Sequence, residues 1–358
     1  MATDHLGREV RRLQQQIQEL QRRSDYPSME PDADWNAVGD PGQPAYENGW
    51  STFPTWPAAS FRVDSEGWVI FRGLVQNGVN HIFTLPAAYR PPRDASFTVM
   101  SNGPNIGHVT VNSISGQVST AVVTTGWVSL TTIRYPLWGD DQLRFRVAPR
   151  IPRYGLDYTT TGWRRPRLYV RRNGFVDVQG ICGTWQAIDF GALADLSPEG
   201  RSIHLIHGSG TAQHRVDAHG ILQVFGNVNP YGILGGTVKW PTPAIEPYFT
   251  DFTLQNGWQW FADYYASDQS GYPRPAYYKD NDGYVHLRGL AIHATPSGST
   301  IATLPAGYRP GDRTMWPVLT SLTSPGRLDI DPSGTIHCDE GYGTGIVAMD
   351  GVTFLAEN

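Results

Sequence analysis

Apolar residues fall into two different rhythms along this chain. Near the start, Leu6, Val10, Leu13, Ile17 and Leu20 are spaced 4, 3, 4 and 3, with Arg, Gln and Glu filling most positions between them. That spacing is a heptad seam, with Val10 and Ile17 at a and Leu6, Leu13 and Leu20 at d, and it predicts a short coiled-coil helix over residues 1–24. A lone helix of ~20 residues is marginal in water, so the segment would register chains whose downstream parts also associate. The competing reading is an amphipathic helix packed on its own domain. β-Branched a with Leu d leans to two strands, so the seam alone does not specify a trimer.

Beyond about residue 23 the rhythm changes to alternation. Three segments match: Glu66-Gly67-Trp68-Val69-Ile70-Phe71-Arg72-Gly73, Asn173-Gly174-Phe175-Val176-Asp177-Val178-Gln179-Gly180 and Asp282-Gly283-Tyr284-Val285-His286-Leu287-Arg288-Gly289. Each reads as a tight turn leading into a strand. Val69, Phe71, Val176, Val178, Val285 and Leu287 are the residues that alternation assigns to a buried face. The turns lie 107 and 109 residues apart, too far for the rungs of a solenoid, so the body is predicted to be three related β-domains in series.

Other landmarks recur in the same order. Gly-Trp opens each copy at Trp50, Trp163 and Trp258, and Leu85-Pro86-Ala87-Ala88-Tyr89-Arg90-Pro91 in the first matches Leu304-Pro305-Ala306-Gly307-Tyr308-Arg309-Pro310 in the third. The middle copy keeps only Leu193-Ala194-Asp195-Leu196-Ser197-Pro198, and is the divergent one. The predicted organisation is all-β: three tandem antiparallel β-sandwich domains at 47–149, 150–242 and 243–358, after the helix and an acidic Pro/Gly tether at 25–46.

Composition narrows the function classes. A net charge of −5 does not suggest a nucleic-acid binder, and no stretch approaches the ~20 apolar residues of a membrane span. Nor does the start carry the apolar region of a signal peptide, so export by the usual route is not expected. Cys182 and Cys338 lie in different copies, which argues against a disulfide framework. Arg outnumbers Lys 26 to 2, the skew of a GC-rich coding genome.

The short heptad segment, the acidic tether and tandem β-domains carrying Leu-Pro-Ala-Gly-Tyr-Arg-Pro (304–310), Ile-Asp-Pro-Ser-Gly (330–334) and Gly-Val-Thr-Phe (351–354) resemble tail fibre or receptor-binding (minor tail) proteins of tailed bacteriophages. The Arg-rich composition is most similar to those of siphophages infecting actinobacteria. The resemblance implies a homotrimeric structural protein of the virion tail tip, assembled in the host cytoplasm. Its N-terminal end would meet other tail-tip or baseplate proteins, and its distal domain a host cell-surface glycan or protein. It implies no cofactor, no nucleic-acid partner and no membrane insertion.

Each candidate chemistry has a plainer alternative. The pairs Asp280 with Asp282 and Asp329 with Asp331 invite a glycosidase or calcium reading, but the acid pattern is not kept in the matching turns, which favours turn residues. Asp331-Pro332-Ser333-Gly334 lacks the alternating acids and distal Glu of a calcium loop, and nothing places two carboxylates at the roughly 5 to 9.5 Å that glycoside hydrolysis needs. His204, His207, His214 and His219 cluster near Cys182, but residues three apart on a strand face opposite ways, so no metal site is expected. No phosphate loop, nucleophile elbow or zincin helix is present, and the chain is not expected to be an enzyme. Nine arginines between Arg144 and Arg172, opposed by Asp157 alone, suit either an acidic glycan or a solvated strand face with salt bridges to neighbouring subunits, and the second is preferred.

Aromatic residues are densest at the start of the third copy. Flat rings flanked by acids and amides suit sugars, since a pyranose face stacks on the ring while polar side chains take its hydroxyls. The candidate receptor site is Trp260, Tyr264, Tyr265, Tyr272, Tyr277 and Tyr278, with Asp263, Asp268 and Asp280 as polar partners. The plainer alternative is packing between domains or subunits.

Overall fold

The computed structural model describes residues 31–358 apart from 104, 121–125, 138–144, 148–165, 184–201, 208–210, 217–221, 227–230, 262, 264–270, 294–299, 321–323, 341–344 and 358. Leu6, Val10, Leu13, Ile17 and Leu20 therefore lie outside the described residues, as do Trp163, Tyr264, Tyr265 and Asp268. Within them the chain is all-β and its strands pair antiparallel, in several separate sheets.

Each repeat builds the same four-stranded sheet. In the first, the order is Asn36–Ala37, Ser60–Val63, Trp68–Arg72, Arg134–Pro136. In the second it is Phe145–Val147, Arg167–Val170, Phe175–Gln179, Lys239–Pro241. In the third it is Thr250–Asp251, Ala276–Lys279, Tyr284–Arg288, Thr353–Leu355. A further sheet follows: seven strands in the first repeat, five in the second, and in the third separate sheets of three and four.

The turn into the central strand explains itself chemically. Asp64 Oδ1 accepts hydrogen bonds from the backbone N–H of Glu66 (3.0 Å) and Trp68 (2.8 Å), and Asp280 Oδ1 does the same for Asp282 (3.0 Å) and Tyr284 (2.8 Å). This self-capping by a short polar side chain is why such residues dominate turns. The strand's closing glycine is obligatory for another reason. Gly73 and Gly289 sit at φ +105° and +94°, and a Cβ there would stand 2.3 Å from the carbonyl oxygens of Ala58 and Arg274.

The alternation reads correctly for one face of these strands. Val69, Phe71, Val176, Val178, Val285 and Leu287 are all buried. Val69 and Phe71 join Phe61, Phe83 and Phe97 in one core, and Val285 and Leu287 join Trp258, Trp316 and Leu328 in another. Trp50 and Trp258, each 4 % exposed, are core residues, as the Gly-Trp recurrence suggested.

The opposite face departs from expectation. Ile70, Asp177 and His286 occupy the matched position of the three strands, between the core residues, and are 6, 2 and 1 % exposed. Other repeats cover them. The first and second repeats meet where the ring of Trp68 packs edge-on against Tyr169, centroids 5.5 Å apart. The second and third meet where Phe175 stacks on His286 at 3.7 Å. The third and first meet where Ser65 donates to Asp282 at 2.9 Å and the Arg134 guanidinium lies 5.7 Å from the Tyr284 ring. The three matched four-stranded sheets thus meet one another at three junctions, in the manner of a pseudo-threefold ring closed within one chain.

This ring corrects the reading of the arginine run as a solvated face at Arg167 and Arg171, the side chains of Arg144, Arg146, Arg150, Arg153, Arg164 and Arg165 lying outside the described residues. Arg171 is 3 % exposed and Arg167 9 %; Arg171 is spent on a junction inside the chain rather than on a neighbouring subunit.

Candidate functional site: an aromatic groove on the third repeat

The third repeat carries a groove of about 440 Å³ on which Trp260 and Asp263 open together with Asp251, Gln259 and Arg274. Local pairing sets its wall. The strand Gln259–Trp260 pairs with Leu290–Ile292, placing Trp260 opposite Ala291, and Thr250–Asp251 pairs with Ala276 and Tyr277 across the groove. Trp260 leans on a small core of Phe261, Leu290, Ile292, Leu319 and Ala348. Its indole N–H donates to the Tyr272 carbonyl at 3.2 Å, and the Tyr272 ring meets Phe261 edge-on at 5.5 Å. Tyr272 therefore fixes the tryptophan rather than lining the groove.

The free face of Trp260 is covered by the Arg274 guanidinium, 4.4 Å from the ring centroid. Arg274 is also 4.0 Å from Asp251, and both side chains are more than half exposed. A cation over an aromatic ring at an exposed site is worth only ~0.5–1 kcal/mol, so a ligand that stacks on the indole can displace it. The groove's size falls within the roughly 300–1,000 Å³ of ligand clefts. Two carboxylates, an amide and a guanidinium beside an aromatic plane can stack a sugar ring and bond its hydroxyls.

The sequence-predicted residues do not all converge here. Tyr277 packs between Phe252 and Tyr308, with ring centroids 4.9 and 5.1 Å away, and burial pushes its phenol up. Tyr278 lies among Phe249, Tyr248 and Phe175, at the junction with the second repeat. Asp280 is 5 % exposed and accepts from Asn173 Nδ2 at 2.7 Å while pairing with His286 Nε2 at 2.9 Å. Burial alone would raise its pKa, but the bonds to His286 and Asn173 outweigh burial and hold the carboxyl below its ordinary range. Asp280 is thus a junction residue and is withdrawn from the receptor-facing set. Of the nine, Trp260 and Asp263 line the groove and Tyr272 supports it. Among the described residues no group of three or more His, Cys, Asp or Glu is placed to hold a metal ion, and no helix is long and apolar enough to cross a membrane.

No protein-family model matches this chain, and no curated protein matches it significantly. The site must stand on its own chemistry.

The largest concentration of perturbed groups lies elsewhere, where the three central turns meet. Arg171 of the second repeat donates Nη2 to Asp64 and Nε to Glu66 of the first, each at 2.8 Å, and Glu66 also accepts the Asn173 N–H at 3.2 Å. Burial pushes both carboxyls up despite the guanidinium, and the same cause raises Asp177 beside them. Burial brings Lys239 down to about 7 and lowers His286. Such clusters often mark active sites, but structural ion networks perturb pKa values equally. Here every charged group spans a junction or faces one, which is a structural role. A strand-pattern reading missed the cluster because its members lie about a hundred residues apart.

Proposed function

We propose that this chain is a tail fibre or receptor-binding (minor tail) protein of a tailed bacteriophage, a non-enzymatic virion protein that binds a host envelope glycan during adsorption. In this reading three tandem β-sandwich domains follow the coiled-coil helix 1–24 and a tether that ends before Asn36–Ala37, the edge strand of the first repeat, with Phe145–Val147 counted to the second repeat and 243–358 as the third. The helices associate through Leu6, Val10, Leu13, Ile17 and Leu20 into a homotrimer fixed to other tail-tip proteins. The observation that carries the glycan reading is the Trp260 groove, where an indole face sits among Asp251, Asp263 and Gln259. Three chains presenting the same groove would turn a modest affinity into avidity.

The test is adsorption of purified full-length protein to host cells and envelope polysaccharide, comparing wild type with Trp260→Ala/Asp263→Asn. Binding is expected to fall at least tenfold while the light-scattering mass stays at three chains and the melting temperature is kept. Unchanged binding would sink the site, and a one-chain mass would sink the homotrimer. Because Asp251 and Asp263 line the same groove, a fibre-borne depolymerase is the second reading. Release of reducing ends from the polysaccharide would replace the binding reading with that one, and wild-type protein that binds neither cells nor glycan would point to a tail connector.

A further inference from the structure

Of the three junctions in the ring, two are filled by aromatic contacts, Trp68 on Tyr169 and Phe175 on His286. The junction between the third and first repeats packs Met315 against Leu74 and Met100 with Trp56 and Trp127 beside them, and it also holds a cavity of about 70 Å³, bounded by Ile70, Arg134, Tyr284, Thr314 and Trp316. That is room for several waters or one small ion, since a single water needs roughly 10–15 Å³ measured this way.

Four residues of its wall carry unpartnered polar atoms of one character. Arg134 Nε and Nη2, Trp316 Nε1, Tyr284 Oη and Thr314 Oγ1 are buried with no hydrogen-bond partner among the described residues. The four residues are 6, 3, 5 and 9 % exposed. The guanidinium and indole N–H groups can only donate, and both hydroxyls are able to. Leaving buried donors unmet costs about 1–3 kcal/mol each, more for a charged one, so a cluster of them calls for an acceptor.

Charge points the same way. Arg134 forms an ion pair with Asp177, with Nε to Oδ2 at 3.7 Å, beyond hydrogen-bond distance. The two carboxylates on the cavity's outer wall are already occupied: Asp312 by Arg72 at 3.1 Å, and Glu357 by Arg72 at 3.4 Å and by the Trp35 indole N–H at 3.0 Å. Arg313, also on that wall, is held by Asp329 and Asp331. Of the cations on this wall, Arg134 is the one whose Nε and Nη2 find no direct hydrogen bond among the described residues, Asp177 at 3.7 Å and the Trp68 ring at 5.6 Å answering its charge only in part.

We propose that this cavity binds a small oxyanion, which Arg134 takes by charge-assisted hydrogen bonds while Trp316, Tyr284 and Thr314 complete its shell. Guanidinium forks match carboxylate and phosphate geometry, and such bonds run about twice as strong as neutral ones. The bound ion would bridge the first and third repeats and add to the packing of Met315 on Leu74 and Met100 at that junction. The site is separate from the Trp260 groove and does not depend on it.

The probes are inorganic phosphate and acetate, titrated calorimetrically into full-length protein at fixed pH and ionic strength with chloride as the balancing salt. Phosphate and acetate arms distinguish a free phosphate-type ion from the carboxylate of an acidic sugar. One of the two is expected to bind saturably and to raise the melting temperature above its value in chloride. Tyr284→Phe/Thr314→Val removes two donors while keeping the cavity's shape, and is expected to weaken binding at least tenfold with the melting temperature in chloride retained. Arg134→Met is expected to abolish it. Absence of saturable binding by either ion to wild type would overturn the proposal, leaving water as the occupant. Binding that survives the isosteric double substitution would overturn it as well, by moving the ion elsewhere.

Discussion

Replacing Arg171 by Met tests whether the ring is held by its ion cluster. The Arg171 side chain is 2 % exposed and bonds Asp64 and Glu66, which are 3 and 1 % exposed. Removing one partner of a buried pair typically costs ~3–5 kcal/mol, because the remaining charge is left without compensation. Two carboxylates are stranded here, so the upper part of that range is expected at pH 8. The penalty should also depend on pH. Burial already raises both carboxyls with Arg171 in place, and without it they rise further. An acid whose folded pKa exceeds its unfolded value contributes stability that is full below the unfolded value and is lost as pH climbs through the folded one, at up to about 1.4 kcal/mol per pH unit for each group. The variant should therefore lie closer to wild type at pH 5 than at pH 8. Urea unfolding at both pH values can be followed by tryptophan fluorescence, since Trp68 lies 4.9 Å from the Arg171 guanidinium. The triple change Asp64→Asn/Glu66→Gln/Arg171→Met removes the charges together and should recover most of the loss. A penalty below about 1 kcal/mol at pH 8, or one that is equal at both pH values, would refute an ion-held ring.

Further outcomes follow from other residues. Lys239 is buried and its pKa is down at about 7 from 10.5; the unfolded chain therefore binds the extra proton between those values, and stability should rise with pH from about 7 towards 10.5. Lys239→Met should flatten that slope in urea midpoints, and a slope that persists would assign it to another group. Phe71→Ala and Leu287→Ala, at sites 3 and 2 % exposed, should each cost ~2–5 kcal/mol through cavity formation. Calorimetry showing no fall in melting temperature for either would contradict their place in the two cores.

The sequence carried the repeat and the inward strand face because both are written along the chain. A turn residue, a glycine and alternating Val, Phe and Leu are local signals with a period of two. Trp260 and Asp263 were legible for a similar reason, as part of a run of rings and acids peculiar to the third copy. The ring was not legible. Asp64, Arg171 and Asp280 hold the same place in three turns, and read singly they are unlike residues in a variable turn. Their meaning is complementarity between copies, which no window along the chain contains. Asp280 was placed on the receptor face for want of that knowledge, and Arg171 dissolved into a run of arginines. Tyr277 and Tyr278 were read as one patch, although neighbours on a strand point to opposite faces.

The unlike residues at the matched strand position have a consequence for what the chain could be exchanged for. In a ring of three identical chains, any residue at the centre appears three times, so one aspartate would bring three carboxylates together. Here the same place is filled once by Ile70, once by Asp177 and once by His286. The single Asp177 has Lys239 opposite it in the register and Arg134 of another repeat nearby, and the single His286 has Asp280. Covalent continuity makes that inequality possible, and it also makes the copies non-interchangeable. A chain with its second and third repeats transposed would keep the strand pairing within each repeat, yet set Arg171 and Asp177 beside the wrong neighbours. The three parts repeat one pattern, but their order has become part of the structure.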